Sequence, residues 1–428
     1  MSEPFRLREP IRIAGARITP VAFVDPPLLN TVGVHQPYAL RAIIQLDTEA
    51  GIVGLGETYA DTAHLARLEA AAVAITGLDV FALNEIRAAI DNQLASSTIT
   101  GGDGVAGMIT TASTTDRVFS PFEVACLDVQ GKALGRPVSD LLGGKVRDTV
   151  PFSAYLFYKW AAHPGARPDE WGEAIDPDGL VRQAQKMIGE YGFGAIKVKG
   201  GVFPPDEEIA GIKALREAFP ELPLRLDPNA AWTVDTSIRV ASELDGIIEY
   251  LEDPTPGLDG MAEVAREAKM PLATNMCVVA FDQLEPAVVK KSVQVVLSDH
   301  HYWGGLQRSR LLAGVCDNFG LGLSMHSNSH LGISLAAMVH LAGATPNLTY
   351  ACDTHWPWKN EDVVVPGVLK IVDGAVAVPT GPGLGVEIDE DALALLHQQY
   401  LDCGIRDRDD TGYMKSIDPT FKNTCPRW

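Results

Sequence analysis

Residues Phe193–Gly200 read Phe-Gly-Ala-Ile-Lys-Val-Lys-Gly, a short apolar run that closes on two lysines separated by one valine. A run of this length bounded by glycine reads as a buried strand. Side chains alternate along a strand, so Lys197 and Lys199 share one side and Ile196 and Val198 the other. Ammonium groups a few ångströms apart repel each other, and each is expected to lower the other's pKa. A lysine perturbed in this way can act as a base near neutral pH. Taken alone, the stretch reads more simply as an edge strand that shows lysines to water against aggregation. The rest of the chain decides between the two.

On both sides of this strand the pattern repeats. Apolar runs stand at 150–155, 195–198, 224–226, 247–251, 272–274, 293–297, 321–325 and 348–351. Helical spacing fills the intervals at about 178–191, 206–218, 234–244, 258–268, 282–290, 306–318 and 332–343. Eight strands with seven helices between them imply parallel strands joined by right-handed crossovers, an α/β fold. Eight such units close a TIM barrel. An open doubly wound sheet is the rival, but no Gly-x-Gly-x-x-Gly follows any strand, which counts against a dinucleotide site. Residues 1 to about 145 read as a smaller α+β domain. Strands are expected at 11–25 and 38–46, with a turn at Glu49-Ala-Gly-Ile and helices at 61–75 and 80–94. The stretch 96–116, rich in Gly, Ser and Thr, reads as a loop, and 122–134 as a helix. The segment 376–428 carries a helix near 390–401 and an Asp/Arg-rich tail.

Composition narrows the function. The chain has 428 residues, 46% hydrophobic and 21% charged, an ordinary globular balance. Its net charge of −20 argues against nucleic acid and anionic membrane as partners. No apolar run is long enough to span a membrane, and the first residues lack a signal-peptide core, so a cytoplasmic location is expected. The six cysteines are scattered without a Cys-x-x-Cys pair, which fits reduced thiols.

In such barrels the chemistry stands where strands give way to loops. The expected strand ends are Tyr155; Lys197 and Lys199; Asp227-Pro-Asn229; Glu252-Asp-Pro; Asn275; Asp299-His-His; His326-Ser-Asn328; and Asp353-Thr-His355. One Asp-Pro is commonly a turn device, and one histidine commonly a packed core group. Polar groups at all eight ends at once favour a site. Asp227, Glu252 and Asn275 lie on consecutive strands and offer oxygen only, which suits a hard cation such as Mg²⁺, with Mn²⁺ as the alternative ion. Opposite them stand Asp299 and His326. A carboxylate on one imidazole nitrogen fixes the tautomer and leaves the other nitrogen as acid or base. A lysine and a histidine on opposite sides of a cation suit removal of a proton beside a carboxylate.

The Lys-x-Lys strand, the Asp/Glu/Asn series and the Asp–His pair resemble the enolase superfamily. Within it, the chain is most similar to the glucarate dehydratases. Shared strings include Ala-Tyr-Leu-Phe (154–157), Asp-Pro-Asn (227–229), Glu-Asp-Pro (252–254), Ala-Thr-Asn-Met (273–276), Ser-Asn-Ser-His (327–330), Asp-Thr-His-Trp (353–356) and Arg-Asp-Asp (408–410). The resemblance implies a modified TIM barrel, (β/α)7β, over 146–375. A capping domain would be built from 1–145 and completed by 376–428. It implies Mg²⁺ on Asp227, Glu252 and Asn275, with Lys199 and the Asp299–His326 pair as the two bases. His326 would also protonate the departing hydroxyl. Lys197 and Asn229 would contact the reacting carboxylate. His35, Tyr155, Asn328, His355 and Arg408 would surround the far end of a dicarboxylic acid sugar. The implied reaction dehydrates D-glucarate or L-idarate to 5-keto-4-deoxyglucarate. Dehydration or epimerisation of another acid sugar, and a catalytically silent relative, are the alternatives. A homo-oligomer is expected. The chain departs from the family's pattern in the short segment Thr255-Pro-Gly-Leu-Asp-Gly and in 96–120, both of which face the active site in that family.

Overall fold

The computed structural model describes residues 9–95 and 111–428, without the side chains of 111–113. Three long strands open it: β1 (Ile13–Val24), β2 (Tyr38–Thr48) and β3 (Val53–Tyr59), antiparallel in that spatial order. The turn expected at 49–52 joins β2 to β3, where Asp47 pairs with Val53. Helices α1 (Thr62–Ile75) and α2 (Leu83–Ala95) follow.

The next helix, α3, runs Thr111–Leu134. The reading of 96–116 as a loop fails for its last residues, and the expected start at 122 is too late; 96–110 lies outside the described residues. Composition misleads here because packing decides. The helix lies directly on β3, where a side chain on Gly54 or Gly56 would strike the carbonyl oxygens of Ala125 and Pro121. That close approach holds Pro121 inside the helix despite its missing N–H.

Seven parallel strands then follow in chain order: β4 (Ala154–Phe157), β5 (Ile196–Lys199), β6 (Leu224–Asp227), β7 (Tyr250–Glu252), β8 (Leu272–Thr274), β9 (Val295–Ser298) and β10 (Gly322–Met325). Every residue in them is buried except Gly322, so they read as short continuous apolar runs. The crossover helices are α4 (Pro177–Tyr191), α5 (Pro205–Ala218), α6 (Val234–Glu243), α7 (Gly257–Glu267), α8 (Leu284–Lys290), α9 (Leu306–Phe319) and α10 (Gly332–Gly343). The local grammar is plain in α4. Asp176 caps it by accepting from Gly179 N at 2.7 Å, Pro177 opens it, and Gly192 ends it at φ 72°.

Two expected strands are corrected. The run 150–155 is split: Thr149–Pro151 pairs antiparallel with Ala375–Ala377, and the barrel strand begins at Ala154. The run 348–351 forms no strand. Thr349 N and Tyr350 N both donate to Leu323 O, so the chain bends and no regular ladder extends. The ring still closes through this segment. Cys352 bridges Phe152 in parallel, and Asp353 N donates to Met325 O at 2.8 Å. This is a modified TIM barrel.

The chain's last helices return to its first strands. Helix α11 (Glu390–Cys403) lies on β1, with His397 Nδ1 at 2.7 Å from Pro20 O and Gln399 Nε2 donating to Ala22 O. The tail forms an unexpected helix, α12 (Asp410–Ile417), with Asp409 capping Gly412 N. No helix among the described residues is long and apolar enough to cross a membrane.

Candidate active site

Strand β5 sends Ile196 and Val198 into the packed layer and both lysines toward the barrel axis. Lys197 Nζ stands 2.7 Å from Asp353 Oδ2, 2.7 Å from Glu252 Oε2 and 3.7 Å from Asp227 Oδ2. Lys199 Nζ donates to Asp227 Oδ2 at 2.7 Å and to Asn229 Oδ1 at 3.1 Å. The expected mutual lowering of the lysine pKa values is overturned for Lys197. Burial lowers its pKa, but Asp353, Glu252 and Asp227 outweigh burial and hold it well above the ordinary lysine value. Three carboxylates in reach count for more than one neighbouring ammonium.

The loops after β6 and β7 are strained. Asn229, Ala230 and Asp253 have φ of 55°, 62° and 38°, which costs a non-glycine residue about 1–2 kcal/mol each. The surroundings hold them there. Asn229 N donates to Asp227 Oδ1 and Ala230 N to Asp253 O. The Asp253 carboxylate accepts from Thr274 Oγ1 at 2.6 Å and Asn275 N at 2.8 Å. Burial pushes Asp253 up to about 7.

Glu252 Oε1, Glu252 Oε2 and Asn275 Oδ1 are buried and accept no hydrogen bond. The Lys197–Glu252 approach is a charge contact without hydrogen-bond alignment. Buried acceptors left without donors cost about 1–3 kcal/mol each. A divalent cation would relieve them, and oxygen-only donors from Asp227, Glu252 and Asn275 fit Mg²⁺. A second cluster, Asp299, His300 and His301, also has ligand spacing. It is already used by its own hydrogen bonds, and the Arg41 guanidinium stands 2.9 Å from His301 Nε2, so a cation there would be repelled.

Asp299 Oδ2 lies 3.0 Å from His326 Nδ1, and Asp299 Oδ1 lies 2.8 Å from His301 Nδ1. Burial would raise the Asp299 pKa, but the two imidazoles overrule it and hold the carboxyl well below its usual range. One cavity is lined by His35, Tyr155, Lys199, Asn229, Asn275, His326, Asn328, His355 and Arg408. Lys197, Asp227, Glu252 and Asp299 do not line it. They stand behind those that do, in the contacts given above. A wider cavity adjoins it, shares Val32 and Asn229, and is bounded by Thr255–Leu258 and Met276. The short segment after Glu252-Asp-Pro therefore borders this second space.

The family model for "Enolase C-terminal domain-like" proteins matches residues 179–392, and that for the "Mandelate racemase / muconate lactonizing enzyme, N-terminal domain" matches 15–143. A probable glucarate dehydratase of Streptomyces coelicolor is 52% identical over 98% of this chain and 99% of its own. The chain belongs to the enolase superfamily. It is glucarate dehydratase-like, a lyase of the dehydratase kind. An enolase of Mycobacterium smegmatis, solved with tartrate, is 75% identical with a TM-score of 0.95, covering 99% of this chain and 100% of that one. An enolase of Gibberella zeae, solved with magnesium, formate and sulfate, is 64% identical with a TM-score of 0.95, covering 97% of each.

In this enolase-superfamily chain, sequence reasoning missed the groups that hold the cavity-lining side chains. Asp25 Oδ2 lies 3.0 Å from His35 Nδ1, Asp410 Oδ2 accepts from Arg408 Nε and Nη2, and Tyr59 OH accepts from Asn328 Nδ2. Tyr155 and His355 stack edge to face at 5.1 Å, and His355 Nδ1 is buried without a partner. Asp353 stood among the strand ends without a role, and the structure makes it the partner of Lys197. For Asp25 and Tyr59 the sequence carried no signal, because each meets its partner from another sheet or loop.

Proposed function

We propose that this chain dehydrates an aldaric acid, with D-glucarate and L-idarate as substrates and 5-keto-4-deoxyglucarate as product. The observation that carries the reading is the set of orphaned oxygens on Glu252 and Asn275, beside Lys199 and across one cavity from His326. Asp227, Glu252 and Asn275 would hold Mg²⁺, or Mn²⁺ in its place. The ion supplies positive charge that acidifies the C–H beside the bound carboxylate. Asn229 would meet the same carboxylate from the cavity wall, and Lys197 stands behind it on Asp353 and Glu252.

Lys199 Nζ takes the α-proton from one face of the substrate, and His326 Nε2 takes it from the other. His326, oriented through Nδ1 by Asp299, then donates a proton to the β-hydroxyl, which leaves as water. The resulting enol tautomerises to the ketone. His35, Tyr155, Asn328, His355 and Arg408 receive the distal carboxylate and hydroxyls, with Arg408 as the cation. We further propose a cap of 1–145 and 376–428 over a barrel of 146–375. The packing of α11 on β1, and the bond from Thr62 N to Arg406 O, support that division.

The test is incubation with D-glucarate and Mg²⁺, followed as keto-acid formation. Absence of product from that diacid and from a panel of acid sugars would end the reading. A dehydratase or epimerase for a different acid sugar is favoured by one observation, the wider space beside Asn229. The panel separates the two. Absence of Mg²⁺ affinity would instead favour a silent relative.

A further inference from the structure

Asp299 does not serve His326 alone. Its Oδ1 accepts from His301 N at 3.0 Å and meets His301 Nδ1 at 2.8 Å. Two imidazoles therefore flank one carboxylate, and either could hold the proton. The far side of His301 separates them. His301 Nε2 lies 2.9 Å from Arg41 Nη2 and 2.9 Å from Ser334 Oγ. A guanidinium has donors only, so at this contact Nε2 must accept. Its proton then sits on Nδ1, aimed at Asp299.

Arg41 comes from β2 of the N-terminal sheet and is 1% exposed. It is held by Glu57 of β3, whose Oε1 accepts from Arg41 Nε at 2.8 Å. Glu57 also accepts from Leu331 N and Ser334 N at 2.8 Å each, so its charge is spent before it reaches His301. We propose that Arg41 locks His301 as the neutral Nδ1–H tautomer, so that the negative charge of Asp299 is reserved for a proton on His326. Arg41 and His301 are positioning residues in this scheme, and the N-terminal sheet sets the proton's place in the barrel. The proposal rests on the role given above to His326.

The other groups around His301 agree. On its own turn the His300 ring stacks at 4.0 Å, and burial holds that imidazole well below its ordinary pKa, hence neutral. From the sheet, Tyr59 meets it edge-on at 5.6 Å. Behind Tyr59 stands Arg117 of α3, a further positive charge, and His64 of α1 is held neutral by burial. From the end of β10, burial lowers His330 to about 4. Among the described residues, Asp299 is the carboxylate in direct contact with the His301 ring.

Histidine-selective ¹⁵N labelling of the full chain reads the charge and tautomer of each ring, with His301→Asn to assign the resonance. His301 is expected to be protonated on Nδ1 alone. The double variant Arg41→Met/Glu57→Gln removes both buried charges together. It should let the His301 ring take a second proton, on Nε2. Deuterium exchange beside the carboxylate through the His326 face should then fall by about tenfold, while exchange through the Lys199 face keeps its rate. Arg41→Lys, another donor-only cation, should return His301 to neutral.

A proton on His301 Nε2 in the native protein would overturn the proposal. So would a neutral His301 in the double variant, or equal losses on both faces. If the variants do not fold, the native protonation decides alone. If no acid sugar reacts yet His301 stays neutral, the proton placement stands and the assigned activity falls.

Discussion

On the lysine side of the barrel mouth, two ammonium groups stand among Asp227, Glu252 and Asp353, and carboxylate oxygens are left over. On the histidine side, both oxygens of Asp299 are matched to imidazole nitrogens, one of them also to a backbone N–H. The two sides, to which the proposed reaction gives the two bases, stand in opposite electrostatic states. Surplus acceptors call for a cation from outside. A closed hydrogen-bond set instead fixes where a proton sits. The difference teaches that the lysine half of the site has acceptors the chain alone leaves unmatched, whereas the imidazole half is complete and extends into the N-terminal sheet.

The largest effect should come from removing either base. Lys199→Ala and His326→Ala should each slow proton exchange from one face by about 10³-fold, the scale of general acid–base catalysis. Deuterium exchange beside the carboxylate, measured with D-glucarate and with L-idarate, separates the faces. Full exchange from both epimers in both variants would break the comparison outright.

Next comes the surplus charge. Glu252→Gln should weaken Mg²⁺ binding by about 100-fold or more, since loss of outer-shell partners alone costs 10–100-fold. Titration calorimetry measures it, and unchanged affinity would move the ion elsewhere. Asp299→Asn should leave that affinity intact, because its carboxylate belongs to the closed set.

A smaller effect is the pH dependence of metal binding. Burial raises the Glu252 pKa well above its usual value; Lys197 opposes this, and Asp227 and Asp353 add to it. Without a cation the pair of acidic neighbours therefore favours a proton on Glu252, and that proton must leave when the ion arrives. Affinity should rise with pH, by up to about tenfold per unit for one proton released. A flat affinity between pH 6 and 8 would contradict the surplus.

The smallest effect lies outside both halves. Asp176→Ala removes the cap of α4 and should cost about 1 kcal/mol in urea unfolding. The ratio of the two face-specific rates should not move. If it did, the outer helices would be part of the site.

Much of this was legible in residues 193–355. Each short, largely apolar run ends in a polar group, where the strand gives way to a loop. Lys197, Asp227, Glu252, Asn275, Asp299 and His326 could be read that way. The eighth run could not, because Thr349 and Tyr350 share one carbonyl and the chain bends. Nor could the start of α3, where β3 glycines admit a helix that local composition disfavours. The direction of the Lys197 shift was misread, since alternation shows the neighbouring lysine and hides three carboxylates from other strands.

The sequence by itself determined the strand–helix alternation and the residues at the strand ends, among them the oxygen donors Asp227, Glu252 and Asn275. These depend on periodicity and residue type, which are local properties. Only the tertiary structure decided which charges meet. It set Asp353 against Lys197, Asp25 against His35, and Arg41 of the N-terminal sheet against His301, because through-space electrostatics ignores distance along the chain.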